Sequence, residues 1–305
     1  MCLAAFAIQA SARWPLVVAS NRDEFFDRPA LPLARWQTAA GHSIISGRDV
    51  RAGGTWLGTT PGGRIALLTN VRDVQEASAP AAPRTRGELA MAWLEGSMDA
   101  DQFMAQTDSA AYGGFNLVLG DVPSGHWTWV SNRSFEVTSL APGRPLAIGW
   151  RAQPLTPGIY GLSNAALDSP WPKTLALKAA LKNALTCADE ASLEACLWTA
   201  LANRQPSPDG DLPNTGLPLA LEKALSSAFI NEPARGLSGY GTRCSTLLVA
   251  SSDTHRATDG LAVWVKEKTH RDSDALPKRA SSDVASCAFL LIQHDLLQNQ
   301  KIRSP

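Results

Sequence analysis

Cys2-Leu3-Ala4-Ala5-Phe6-Ala7-Ile8-Gln9 and Pro15-Leu16-Val17-Val18-Ala19-Ser20, followed at once by Asn21-Arg22-Asp23-Glu24, open the chain. The two apolar runs are too short for helices and lack a polar face, so they read as neighbouring strands buried on both sides. A short turn around Ala12 and Arg13 joins them. The polar Asn21–Pro29 stretch reads as a loop that returns to the first residues of the chain.

Outward from this pair, the pattern stays sheet-like. Strands are predicted at Ser43–Ser46, Thr55–Thr59 and Arg64–Thr69, separated by Gly53-Gly54 and Pro61-Gly62-Gly63. Residues 74–86, rich in Ala and Pro, read as a surface excursion. Helices are predicted at Gly87–Leu94 and Asp99–Thr107. Further strands follow at Asn116–Gly120, Trp127–Val130, Phe135–Leu140 and Leu146–Gly149. Leucines from Leu175 to Leu201 recur at helical spacing, which predicts two amphipathic helices broken near Ala188. A loop at residues 205–216, a helix at Leu217–Phe229, a loop at residues 231–241 and strands at Ser245–Ala250, Gly260–Glu267 and Ser286–Gln293 complete the pass. Strands and helices come in blocks, without β-α alternation. This predicts an α+β fold of mainly antiparallel sheets covered by helices, in a single domain spanning residues 1–305.

The composition narrows the function classes. The 305 residues include 28 basic and 28 acidic side chains, so no net field draws the protein to nucleic acid or an anionic membrane. Five cysteines without a C-x-x-C pair argue for a reducing compartment, and the expected location is the cytoplasm. Residues 2–8 lack a preceding basic residue and are short for a signal-peptide core. No apolar run reaches the roughly 18 residues of a membrane helix, so no stable membrane insertion is expected. His42, His126, His255, His270 and His294 lack metal-ligand spacing, so neither a metal nor a cofactor is expected. The tryptophans are scattered, as core or pocket wall rather than a base-stacking platform.

Cys2 is the most informative position. Methionine is normally trimmed before a small residue, and the exposed cysteine would then carry a nucleophile and a base together. A thiol titrates near 8.5 and an α-amine near 7.7 to 8.0, so both exchange protons close to neutrality. Read alone, Cys2 fits a small apolar residue opening a strand, and its context is what favours chemistry. Asp23 is placed to hold the ammonium or orient the thiol. Amide cleavage also needs neutral donors for the developing oxyanion. Asn70 and Asn164 follow strand signals and have the required chemistry, although asparagine there is also an ordinary turn residue.

The ordered set Met1-Cys2, Asn21-Arg22-Asp23-Glu24-Phe25 with Arg28-Pro29, Gly53-Gly54-Thr55-Trp56-Leu57-Gly58, Leu68-Thr69-Asn70, Arg86-Gly87-Glu88-Leu89, Gly114-Phe115-Asn116-Leu117, Tyr160-Gly161-Leu162-Ser163-Asn164 with Pro170-Trp171-Pro172-Lys173, and Tyr240-Gly241-Thr242-Arg243 resembles the NRDE family, also called the transport and Golgi organisation protein 2 family. The resemblance implies a four-layer αββα fold of the N-terminal-nucleophile hydrolase type. Bile-salt hydrolases and penicillin V acylases are its relatives with understood chemistry. It implies Cys2 as nucleophile, Asp23 as orienting carboxylate, Asn70 and Asn164 as oxyanion donors and Arg243 as a residue steadying the site's charge. Asn21, Arg22 and Trp56 are expected to bind substrate. The acylases carry an arginine just before their asparagine; here that position is Ser20, and the arginine lies inside the motif at Arg22. The activity implied is hydrolysis of a small-molecule amide, and the alternative is a haem or lipid-related carrier using the same cleft. Haem would bind non-covalently, because no C-x-x-C-H motif is present.

Overall fold

The structure is a computed structural model that describes residues 2–74, 81–135, 145–231, 239–252, 260–270 and 284–292. The chain runs through β1 (Cys2–Ile8), β2 (Leu16–Phe25), β3 (Ala30–Gln37), β4 (Ser43–Asp49), β5 (Leu57–Thr59) and β6 (Arg64–Asn70) into helices α1 (Gly87–Glu95) and α2 (Ala100–Gln106). It continues through β7 (Phe115–Asp121), β8 (His126–Phe135), β9 (Pro145–Pro154) and β10 (Gly158–Leu162), then α3 (Pro172–Ala184), α4 (Glu190–Leu201) and α5 (Leu219–Ala224). It closes with β11 (Tyr240–Ser251), β12 (Gly260–Thr269) and β13 (Val284–Ile292).

These strands form two sheets, one ordered β10-β1-β2-β11-β12-β13 and the other running β3 to β9 in sequence. Every paired strand in both sheets is antiparallel. The second sheet is a meander, whose consecutive strands need only hairpins or short excursions to join them.

The pleat of β1 explains the layering. Ala4, Phe6 and Ile8 face the other sheet and pack with Trp56, Leu67, Val118 and Trp129. Leu3, Ala5 and Ala7 point the opposite way, onto Leu177 and Leu181 of α3 and Leu193 and Leu197 of α4. The far side of the second sheet is covered in turn by Leu89 and Trp93 of α1 and Phe103 of α2. Alternating side chains therefore assign each face to a layer, which gives helix, sheet, sheet, helix. A strand covered on both faces must be apolar throughout, and all seven residues of β1 are buried.

Several sequence expectations are corrected. The segment read as a loop after Ser20 is the second half of β2, which runs to Phe25, with Asn21–Phe25 paired against Tyr240–Ser245 of β11. Polar residues suggested a turn, yet strand pairing satisfies the backbone, Asn21 and Asp23 take side-chain hydrogen bonds and Arg22 takes ion pairs with Glu24 and Asp49. Ala30–Gln37 is a strand that carried no apolar alternation, because it lies at the sheet edge with much of its surface exposed. Helix α5 covers only Leu219–Ala224 of the longer helix expected. The expected strand Phe135–Leu140 falls mostly outside the described residues, as do parts of the excursion at residues 74–86 and of the loop at residues 231–241.

Candidate active site

Cys2 begins β1 and pairs across β2 with Arg22, which pairs in turn with Cys244 of β11. The strand register therefore places the first residue of β1 beside the polar half of β2. Between β2 and β11 the register shifts at Arg243, a β-bulge between Thr242 and Cys244. A bulge re-aims the side chains around it. Here Thr242 Oγ1 donates to Asp23 Oδ1 at 2.6 Å. The Tyr240 hydroxyl donates to the Asp23 main-chain oxygen at 3.1 Å.

Asn70 and Asn164 come from opposite sheets and meet at this end of the sandwich. Asn164 Nδ2 donates to the Asn70 main-chain oxygen at 2.8 Å, and Arg72 N donates to the Asn164 carbonyl at 2.7 Å. Ser163 Oγ donates to the Cys2 carbonyl at 3.0 Å, and Thr69 Oγ1 donates to the Ser163 carbonyl at 2.6 Å. Asn116 reinforces the seam, its Nδ2 donating to Thr69 Oγ1 and to the Ala165 carbonyl. The end of β6 and the turn after β10 are thus tied directly to the start of β1. Asn164 is 1% exposed, Asn70 is partly buried, and one hydrogen of the Asn164 amide is committed to the Asn70 carbonyl.

The electrostatics follow from burial. Burial pushes the Cys2 thiol up, and Asp23 adds to this; the positive chain terminus and Arg22 oppose it. Burial also pushes the Asp23 carboxyl up, opposed first by Lys173, then by the chain terminus, the Thr242 hydrogen bond and Arg22. Lys173, 5% exposed, is lowered to about 8 by burial, with Asp23 the leading opposing charge. Its Nζ donates to the Leu225 carbonyl at 2.8 Å. Close by, Arg72 Nη1 meets Glu222 Oε2 at 2.6 Å, and the Arg72 guanidinium lies 4.8 Å from the Trp171 ring.

Cys2, Asp23, Asn70 and Asn164 are therefore brought to one end of the sandwich. Arg22 and Trp56 are brought together beside them, the guanidinium 4.3 Å from the indole and within 3.6 Å of Glu24 and Asp49. Arg243 lines a small pocket together with Arg22, Trp56 and Cys244. Its Nη1 donates to the carbonyls of Phe25, Phe26 and Arg28, at 2.8, 3.1 and 2.9 Å, and so fastens the chain leaving β2. Asn21 points to the helix layer. Its amide donates to Leu201 O and Ala228 O and its oxygen accepts from Ser245 Oγ, so it braces the end of α4 and the chain after α5 against β11. A cleft of about 370 Å³ opens at the outer end of β2, lined by Glu24, Phe25, Asp27, Arg28, Arg51 and Gly239. Lys173, Thr242, Tyr240 and the Arg72–Glu222 pair were missed as site residues. Lys173 and Thr242 stood inside recognised motifs, but only the bulge and the docking of α3 show what they face.

A two-sheet αββα protein with a cysteine opening a central strand, next to a buried aspartate and two seam asparagines, is the class that fold and site define. Residues 1–259 match the Transport and Golgi organisation 2 family, and the chain belongs to that family. The human Transport and Golgi organization protein 2 homolog is 31% identical over 271 residues, 84% of this chain and 89% of the human protein. The mouse homolog is 32% identical over 251 residues, 79% of this chain and 83% of its own length. Among solved structures, the chain is similar to the Caenorhabditis elegans ortholog of N-acylethanolamine-hydrolyzing acid amidase, with TM-score 0.46, 12% identity, and 81% of this chain and 92% of that chain covered. It is also similar to the C2A mutant of conjugated bile acid hydrolase from Clostridium perfringens, with TM-score 0.45, 7% identity, and coverage of 94% and 92%. No described helix is long and apolar enough to cross a membrane.

Proposed function

We propose that the protein is an N-terminal-nucleophile amidohydrolase that cleaves a C–N amide bond of a small molecule. The observation that carries this reading is the convergence of Cys2 and Asp23, with Thr242 on the carboxylate, upon the Asn70–Asn164 seam. Removal of Met1 would place an α-amine on the residue that holds the thiol. The amine takes the thiol proton, and Sγ attacks the substrate carbonyl carbon to form a C–S bond. The oxyanion is met by the Asn164 hydrogen not given to Asn70 and by the Asn70 side chain. Collapse breaks the C–N bond, and the leaving amine takes the proton from the Cys2 ammonium. Water, deprotonated by the same amine, then hydrolyses the thioester and frees the thiol. Asp23 holds the ammonium while it exists, and Arg22 stacked on Trp56 borders the substrate side. The free state of all five cysteines supports action in the cytoplasm.

Intact mass, measured before and after a panel of acyl-amides, tests this. Loss of Met1, an acyl adduct on Cys2 and no turnover by Cys2→Ala are expected. Full turnover with Met1 retained would overturn the reading. So would specific haem binding by both wild type and Cys2→Ala with no amide cleaved by either, which is the carrier outcome.

A further inference from the structure

Arg22 is only 5% exposed, and its Nη1 has no hydrogen-bond partner among the described residues. Its contacts with carboxylates run through Nη2, at 3.6 Å to Glu24 and 3.5 Å to Asp49. Both acids are engaged elsewhere. Asp49 accepts from Arg28 Nε at 2.5 Å and from Ala52 N at 2.9 Å, and Glu24 accepts from Phe25 N at 3.0 Å. The Trp56 indole, 4.3 Å from the guanidinium, attracts the cation but offers it no acceptor oxygen. A buried donor on a charged group is costly to leave unpaired, so Nη1 marks a place for an acceptor.

Arg22 lines a pocket of about 20 Å³ with Trp56, Arg243, Cys244 and Glu267, which is room for a small polar group. Glu267 does not supply the acceptor. Its oxygens take hydrogen bonds from Leu33 N at 2.8 Å and Thr246 Oγ1 at 3.1 Å, and burial pushes its carboxyl up. Cys2 stands directly opposite Arg22 on the neighbouring strand. Opposed residues of an antiparallel pair share a face, with Cβ atoms about 4.5 to 5.5 Å apart. The unpaired donor and the thiol therefore rise side by side towards the second sheet, which contributes Trp56. We propose that Arg22 Nη1 binds an anionic oxygen of the substrate, so that the substrate is an amide carrying a carboxylate or similar anion a few bonds from the carbonyl that Cys2 attacks. The inference rests on the amidohydrolase reading for the scissile carbonyl and names the substrate class of that site. A guanidinium suits this task because its fixed, planar donors match a carboxylate and make charge-assisted bonds.

The test is titration calorimetry on the full-length Cys2→Ala protein, which reads binding without turnover. Two pairs of probes differ only in carboxylate against carboxamide. Glutaramate and glutaramide place the anion on the acyl side, and N-acetyl-β-alanine and N-acetyl-β-alaninamide place it on the amine side. In at least one pair the carboxylate is expected to bind roughly tenfold more tightly than its carboxamide. Adding Arg22→Gln should erase that preference, and adding Arg22→Lys, which keeps a charge without the planar fork, should leave only part of it. Equal affinity within both pairs would overturn the proposal, leaving Nη1 to a bound water. So would a preference that persists in a folded Arg22→Gln variant. If that variant does not fold, Arg22→Lys decides: an undiminished preference there overturns the proposal, because the bond is assigned to Nη1. Cleavage of the same four amides by wild type is scored apart. Carboxylate preference with no amide cleaved sinks the amidohydrolase reading and keeps the anion site, whereas cleavage without any carboxylate preference does the reverse.

Discussion

Asn164 shows how much a single side chain carries. Its Nδ2 holds the Asn70 carbonyl, its oxygen accepts from Ser163 Oγ, and its main-chain oxygen accepts from Arg72. Those contacts aim the second amide hydrogen, which the proposed chemistry uses. Asn164→Ala should lower kcat by roughly 10² to 10³, the usual cost of one oxyanion donor, with KM little changed. Steady-state kinetics on an amide cleaved by wild type checks this, and an equal loss in binding alone would assign Asn164 to the ground state. Cys2 and Asp23 were legible as residue types. Thr242 was not, because its role depends on a bulge that the sequence does not announce.

At the scale of elements, the second half of β2 is the instructive case. Asn21 to Glu24 read as a loop because polar runs usually meet solvent, yet Asn21 through Asp23 are all buried within a strand. Each finds a local partner or a pairing strand, so polarity did not forbid burial. The loop between β4 and β5 meets the start of α1 in a comparably tight fit. A Cβ on Gly54 would lie 2.5 to 2.7 Å from backbone atoms of Gly87, and backbone cannot rotate away. Gly54→Ala should therefore destabilise the protein by about 1 to 3 kcal/mol, seen as a lower urea midpoint with unchanged slope. The glycine pair in the sequence was legible as punctuation; the helix it faces was not.

Across the whole molecule, charges tie the layers together at one end. Arg72 follows β6 of the second sheet, Glu222 lies on α5, and their contact is buried, with side chains 7% and 3% exposed. Removing one partner leaves the other charge buried. Arg72→Met should cost about 3 to 5 kcal/mol, measured by urea unfolding. Arg72→Met with wild-type stability would show that Glu222 is neutral in the folded protein. This linkage joins residues 150 positions apart, so no local pattern could reveal it.

By itself, the sequence determined the α+β class, most strands and helices, the family and the reactive candidate Cys2. These rest on local hydrophobic period, turn residues and ordered motifs, which are properties of neighbouring positions. The tertiary structure alone decided that Asn21 braces α4 and the chain after α5, that Arg243 fastens the chain after β2, and that Lys173 is buried with its ammonium on the Leu225 carbonyl. The physical reason is that strand pairing sets which side chains share a face, while burial sets how strongly their charges interact. Both depend on contacts between residues far apart in the chain.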